Sequence, residues 1–138
     1  MTAKAMPVFY SEQVAQARRF YREAPKRSGT LAVTGGGCEH CQADYEIHRR
    51  DFPYCSIEFV AGGEGSLRLN RESYALSPGA VFTYGPGTPH DIVTDSKHRL
   101  VKYFVDFTGA GALSLLQAND LAPGRVAQTT SPKAGMPK

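Results

Sequence analysis

Apolar and polar positions alternate most regularly between Phe52 and His90, where short runs are cut by glycine and proline about every eight to twelve residues. In Tyr54–Val60 this alternation puts Tyr54, Ser56 and Glu58 on one face and Cys55, Ile57 and Phe59 on the other. Further strands are predicted over Thr30–Thr34, Asp44–Arg49, Ser66–Asn70, Tyr74–Leu76, Ala80–Tyr84 and Leu100–Phe107. Turns fall at Gly35-Gly36-Gly37, at Gly62-Gly63-Glu64-Gly65 (read as a hairpin), at Asn70–Ser73, at Ser77-Pro78-Gly79 and at Gly85-Pro86-Gly87.

Two segments follow a different rhythm. Ser11 reads as an N-cap before Glu12, and Val14, Ala17 and Tyr21 recur at helical spacing, so a short amphipathic helix is expected over about 12–23, stopped by Pro25. Leu113, Leu115 and Leu116 predict a second short helix within 109–117, made marginal by its glycines. Residues 1–10 read as an arm, 11–126 as one domain, and 127–138, rich in proline, glycine and threonine, as a loose tail.

Composition narrows the classes. A chain of 138 residues with 41% hydrophobic content buries one core. Its 16 Lys and Arg against 13 Asp and Glu give +3 with the charges scattered, so no basic face for nucleic acid is expected. No apolar run reaches the roughly 20 residues that span a bilayer and no signal core opens the chain, so a cytoplasmic protein is expected. Three cysteines, Cys38, Cys41 and Cys55, suggest reduced thiols and no disulfide framework. No G-x-S-x-G elbow or phosphate-cradling loop is present.

Glu58 and Gly65, with six residues between them, and Gly79-AVFTY-Gly85-Pro86-Gly87-Thr88-Pro89-His90 resemble the two motifs of the cupin superfamily. That resemblance implies a mainly β fold, a cupin-like antiparallel β-barrel (double-stranded β-helix or jelly roll) with one or two short flanking helices, and turns Glu58, Tyr54 and Ser56 inward. The histidines that complete a cupin metal site would fall at Phe52 and Tyr54, leaving Glu58 and His90 as two ligands where three or four are needed. A barrel that has lost its metal and kept its pocket is therefore expected, and no cofactor.

The blocks VFYSEQVAQARRFY, FPY followed by EFV, SPGAVFTYGPGTPH and KYFVDF resemble, over residues 8–126, the amino-terminal domain of AraC-family transcription regulators. The resemblance implies a small-molecule effector, often a sugar or related metabolite, held in the barrel, an arm that closes over it, and a homodimer. It also implies a helix-turn-helix module beyond about residue 126, so that these residues are expected either as part of a longer regulator or as a stand-alone relative without that module. Candidate ligand contacts are Tyr54, Ser56, Glu58, His90, Tyr84, Arg68 and Glu46, an aromatic, hydroxyl, carboxylate and guanidinium set suited to a sugar. The rival expectation is a small cupin metalloenzyme, an isomerase or dioxygenase, using Glu58 and His90 with His48 and Glu46. Cys38-Glu39-His40-Cys41 has the spacing of half a zinc site, without a second pair to complete it.

Overall fold

The structure is a computed structural model that describes residues 6–24 and 29–129. Ten strands run in the order β1 (Val14–Tyr21), β2 (Ala32–Cys41), β3 (Glu46–Arg49), β4 (Cys55–Gly62), β5 (Gly65–Leu69), β6 (Glu72–Leu76), β7 (Ala80–Tyr84), β8 (His90–Thr94), β9 (Val101–Thr108) and β10 (Val126–Gln128), with helix α1 (Ala112–Ala118) between the last two. They form a six-stranded sheet, β1-β2-β9-β4-β7-β10, and a four-stranded sheet, β3-β8-β5-β6, with antiparallel pairing throughout.

The two sheets face each other over Val60, Leu67, Leu69, Leu76, Phe82 and Ile92, all nearly sealed from solvent. Each comes from an alternating strand, so the apolar half of every such strand meets its counterpart across the barrel. A second cluster lies outside the large sheet, where Ala112 and Leu116 of α1 cover Cys55 and Phe107. The outward row of β4 thus has a helical cover over Cys55, while Phe59 at its far end stays partly exposed.

Several expectations are corrected. Residues 14–21, read as helix, are strand β1. Ala17, Arg19 and Tyr21 alternate inward and Arg18 and Phe20 outward, but the inward member at 19 is charged and the outward member at 20 is aromatic, which hides the period of two. Arg19 is tolerated inside because its Nη1 donates to Glu39 Oε2 at 3.0 Å. Ser11, expected as an N-cap, accepts the Gln13 backbone N–H in a local turn.

Gly35-Gly36-Gly37, read as a turn, lies inside β2 opposite Tyr21, Phe20 and Arg19 of β1. A Cβ at Gly35 would fall 2.1 Å from the Tyr10 hydroxyl, so the missing side chain is the space that Tyr10 fills. The Gly62–Gly65 turn is no hairpin either: β4 pairs with β7 and β9 while β5 pairs with β6 and β8, so this connection crosses between sheets. Ala127 and Gln128, expected in a loose tail, pair with Val81 and Ala80 as an edge strand. The rest of that tail from residue 130, and arm residues 1–5, lie outside the described residues.

Candidate functional site: a charged barrel interior under an aromatic plug

The inward faces of β2, β4 and β9 bring charge to the middle of the barrel. Lys102, almost fully buried, sends its Nζ to Glu58 Oε1 at 2.7 Å and to Glu39 Oε1 at 3.1 Å. Glu39 stands directly opposite Lys102 in the β2–β9 register, and Glu58 lies one diagonal step away in the β4–β9 register. The Tyr84 hydroxyl donates to the second Glu58 oxygen and accepts from Arg49 Nη1 at 3.2 Å. Both oxygens of Glu58 are thus committed to donors, which is what a buried carboxylate requires.

Protonation follows from these contacts. Burial pushes Glu58 up, but Lys102, Tyr84 and Arg49 outweigh it and hold the carboxyl below its ordinary range. Burial lowers Lys102, and Glu58 with its other neighbours reverses that and keeps the ammonium charged. A charged lysine between two carboxylates is a poor nucleophile, so Schiff-base chemistry is not what Lys102 is arranged for.

His90 stacks on Tyr84 with ring centroids 3.6 Å apart. Its Nδ1 lies 3.0 Å from the Thr88 carbonyl and its Nε2 3.3 Å from Arg49 Nη1. A carbonyl only accepts and a guanidinium only donates, so the ring is neutral with its proton on Nδ1. Burial, with Arg49 adding to it against the Thr88 bond, brings His90 down to about 4.

One end of this interior is closed by the arm. The Phe9 ring packs edge-on against Phe52, Tyr10, Tyr21 and Tyr54, with centroids 5.1 to 6.1 Å away. Its backbone carbonyl accepts from Arg49 Nη2. Tyr10, buried beside it, lies over Gly35 and donates its hydroxyl to the Phe20 carbonyl at 3.0 Å. Below the plug, a cavity of about 10 Å³ remains between Glu39, Glu58, Tyr84 and Lys102. That is room for one water at most.

Near the plug two buried atoms lack a hydrogen-bond partner: Ser56 Oγ and Asp106 Oδ1. The two residues face each other in the β4–β9 register. Burial pushes Asp106 up to about 7, with Ser56 acting in the opposite direction.

Of the candidate contacts, Ser56, Glu58, Tyr84 and His90 are buried inside the barrel, and Tyr54 stands at the plug with its hydroxyl 3.0 Å from that of Tyr21. Glu46 and Arg68 are not in the interior. Glu46 is exposed on β3 and pairs with His48, and Arg68 is exposed on β5 between the inward Leu67 and Leu69. Alternation on each strand assigns them outward, where the expectation followed side-chain chemistry instead. Lys102, Glu39, Arg49, Arg19 and Asp106 escaped the sequence reading. The signal for two of them was present: Lys102 and Asp106 share the parity of Phe104 in an otherwise apolar strand, and a charge there must be either paired inside or out in water.

Neither proposed metal arrangement fits these residues. Lys102 already supplies the cation on Glu58, and the Arg49 guanidinium faces the free nitrogen of His90. Cys38 and Cys41 lie within β2, not on a turn, and residues three apart in a strand point to opposite faces. Cys41 is buried in the core and Cys38 lines the outer face, so the two thiols do not converge on one ion. Glu64, Asp95 and His98 do lie close together, but all three are exposed and the first Asp95 oxygen already accepts from the Lys97 and His98 backbone.

Two facing antiparallel sheets with an inward glutamate on β4 and an inward histidine at the start of β8 define a cupin-type barrel. Residues 37–133 match the model of the AraC-like ligand binding domain, and the chain belongs to that family. Among solved structures it is similar to the plu4264 protein of Photorhabdus luminescens, at 12% identity and TM-score 0.56, covering 86% of this chain and 97% of that one. The cupin domain of Cnp3 from Schizosaccharomyces pombe matches at 13% identity and TM-score 0.54, covering 81% and 77%. Salicylate 1,2-dioxygenase from Pseudoaminobacter salicylatoxidans matches at 18% identity and TM-score 0.52, covering 91% of this chain but 31% of that one. At these identities the likeness shows the fold alone. The comparison with curated proteins gave no match.

Proposed function

We propose that this chain is a small-molecule sensor of a transcription regulator, binding its effector in the barrel and passing the event on through the arm and β1, without chemistry of its own. The observation that carries this is the plug: the arm segment Phe9–Tyr10 sits on a barrel whose inner wall is polar and charged. In this reading the segment moves between a placement on the mouth and one off it, and a ligand that favours one shifts the population. The absence of catalysis is supported by the engagement of Glu58 and His90 with Lys102, Tyr84 and Arg49, which leaves neither group free to take a metal or a substrate proton.

The chain also acts as a homodimer in this reading. Phe59, Tyr103 and Phe20 are 37%, 52% and 51% exposed on the outer face of the six-stranded sheet, around an apolar hollow lined by Ile57, Phe104 and Val105. A monomer rarely leaves such a patch open. No helix among the described residues is long and apolar enough to cross a membrane.

The reading is tested by calorimetric titration against a panel of sugars, amino acids and organic acids. Saturable one-to-one binding that is weakened by Arg49→Gln supports it. Turnover of any panel compound by the purified chain would replace it with the enzyme reading.

A further inference from the structure

The arm shows what the barrel mouth accepts. Phe9 offers it an aromatic ring, which three rings of the barrel, Tyr21, Phe52 and Tyr54, meet edge-on, and a carbonyl oxygen, which Arg49 Nη2 binds. An edge-on box selects a flat, electron-rich body, and a guanidinium selects an oxygen acceptor, a carboxylate above all. Arg49 is held for this by its own stacking over Phe52, with the guanidinium carbon 5.0 Å from the ring centre.

Phe9 leaves one demand unmet. Asp106 Oδ1 and Ser56 Oγ are buried without partners, although a buried polar atom ordinarily finds one. Asp106 stands opposite Gly35, the glycine that Tyr10 lies over, and Ser56 stands opposite Tyr84, whose hydroxyl accepts from Arg49. The ring box, the guanidinium and the unpaired oxygens therefore belong to one locale. A group that donates hydrogen bonds is what the last of these lacks.

Resting on the effector-binding reading, we infer that the ligand is a small aromatic acid bearing an amino or hydroxyl group, and that Phe9 holds its place in the barrel mouth. The ring would replace that of Phe9, the carboxylate would take Arg49 from the Phe9 carbonyl, and the amino or hydroxyl group would donate to Asp106 and Ser56. Phe9 is then a competitor, not a lid: ligand and arm exclude each other, and binding expels the arm.

The test uses L-phenylalanine, 3-phenyllactate and 3-phenylpropanoate, with D-glucose and L-arabinose as the sugar arm, titrated by calorimetry into the wild-type chain and Phe9→Ala. Removing the competitor should lower the dissociation constant for L-phenylalanine or 3-phenyllactate by roughly tenfold or more, since apparent affinity scales with the open fraction. Asp106→Asn and Ser56→Ala should weaken those two compounds and leave 3-phenylpropanoate, which has no donor, unchanged. Because Phe9→Ala could lose its fold, NMR of the wild-type chain gives an independent reading: saturating 3-phenyllactate should move the Phe9 ring signals to their free positions. Aromatic acids that bind without displacing Phe9 overturn the competition. Sugars binding where aromatic acids do not would overturn the ligand class while sparing the sensor reading, and failure of every compound in a folded Phe9→Ala would count against both.

Discussion

Lys102 and Glu58 meet inside the barrel, Nζ to Oε1 at 2.7 Å, with Glu39 completing the ammonium's environment at 3.1 Å. All three side chains are almost fully shielded from water. Truncating the cation leaves two buried carboxylates facing each other, so Lys102→Met should cost about 3–5 kcal/mol in urea unfolding. Adding Glu39→Gln and Glu58→Gln should restore much of it, because the penalty lies in the orphaned charge. A single-variant loss below about 1 kcal/mol would mean the pair is not buried as described.

Asp106 and His90 give the barrel opposing pH dependences. Asp106 is raised from 3.8 to about 7, so the folded chain holds a proton the unfolded chain has released, and its contribution to stability falls as pH rises between those values. His90 is lowered from 6.5 to about 4, so its contribution falls as pH drops through the same region. Asp106→Asn should therefore gain on the wild type by roughly 1–3 kcal/mol between pH 4 and pH 8. Unfolding curves at the two pH values check the sign, and a gain at the acidic end would refute it.

Gly35→Ala tests the seat of the arm. Its new methyl would take the position of the Tyr10 hydroxyl, breaking the bond to Phe20. Hydrogen exchange at residues 6–10 should speed up while exchange in β4 and β7 stays slow. Unchanged exchange in the arm would show that Tyr10 does not depend on the glycine.

Thiol reactivity separates the three cysteines. Cys41 is buried with its thiol pushed up to about 12 by burial, and Cys55 lies under α1, whereas Cys38 is partly exposed. One thiol should react quickly with a disulfide reagent in the native chain and three in denaturant. One equivalent of zinc lost on Cys38→Ser would contradict the strand placement of the pair.

For the dimer, Phe59→Glu with Tyr103→Glu should give a monomer by sedimentation velocity, with unfolding free energy changed little beyond the loss of association. A wild-type chain that sediments as a monomer at high concentration would remove this part of the reading.

Strands β3 to β7 and β9 were legible because their turns carry glycine and proline and their faces alternate cleanly. β1 was not, because Arg19 points in and Phe20 out, and only the partner Glu39, twenty positions along, makes that arrangement stable. β2 was hidden for a related reason: Gly35 makes room for Tyr10 and Gly37 for the Arg18 main chain, both remote in sequence, and glycine in isolation reads as a turn. The site divided along the same line. Glu58 and His90 stood in recognisable spacings, but the cations that occupy them, Lys102 and Arg49, are defined by cross-strand proximity, which no local pattern encodes.

At Gly35 and Gly36 the wall of the barrel is only main chain. Tyr10 rests against its inner side and the Phe20 ring against its outer side, while the Tyr10 hydroxyl grips the Phe20 carbonyl. Elsewhere a message from the interior must cross two layers of side chains, each able to absorb it by changing rotamer. Here a single layer of main chain separates interior from exterior, and under the sensor reading a displacement of Tyr10 inside would reach the Phe20 surface through it directly.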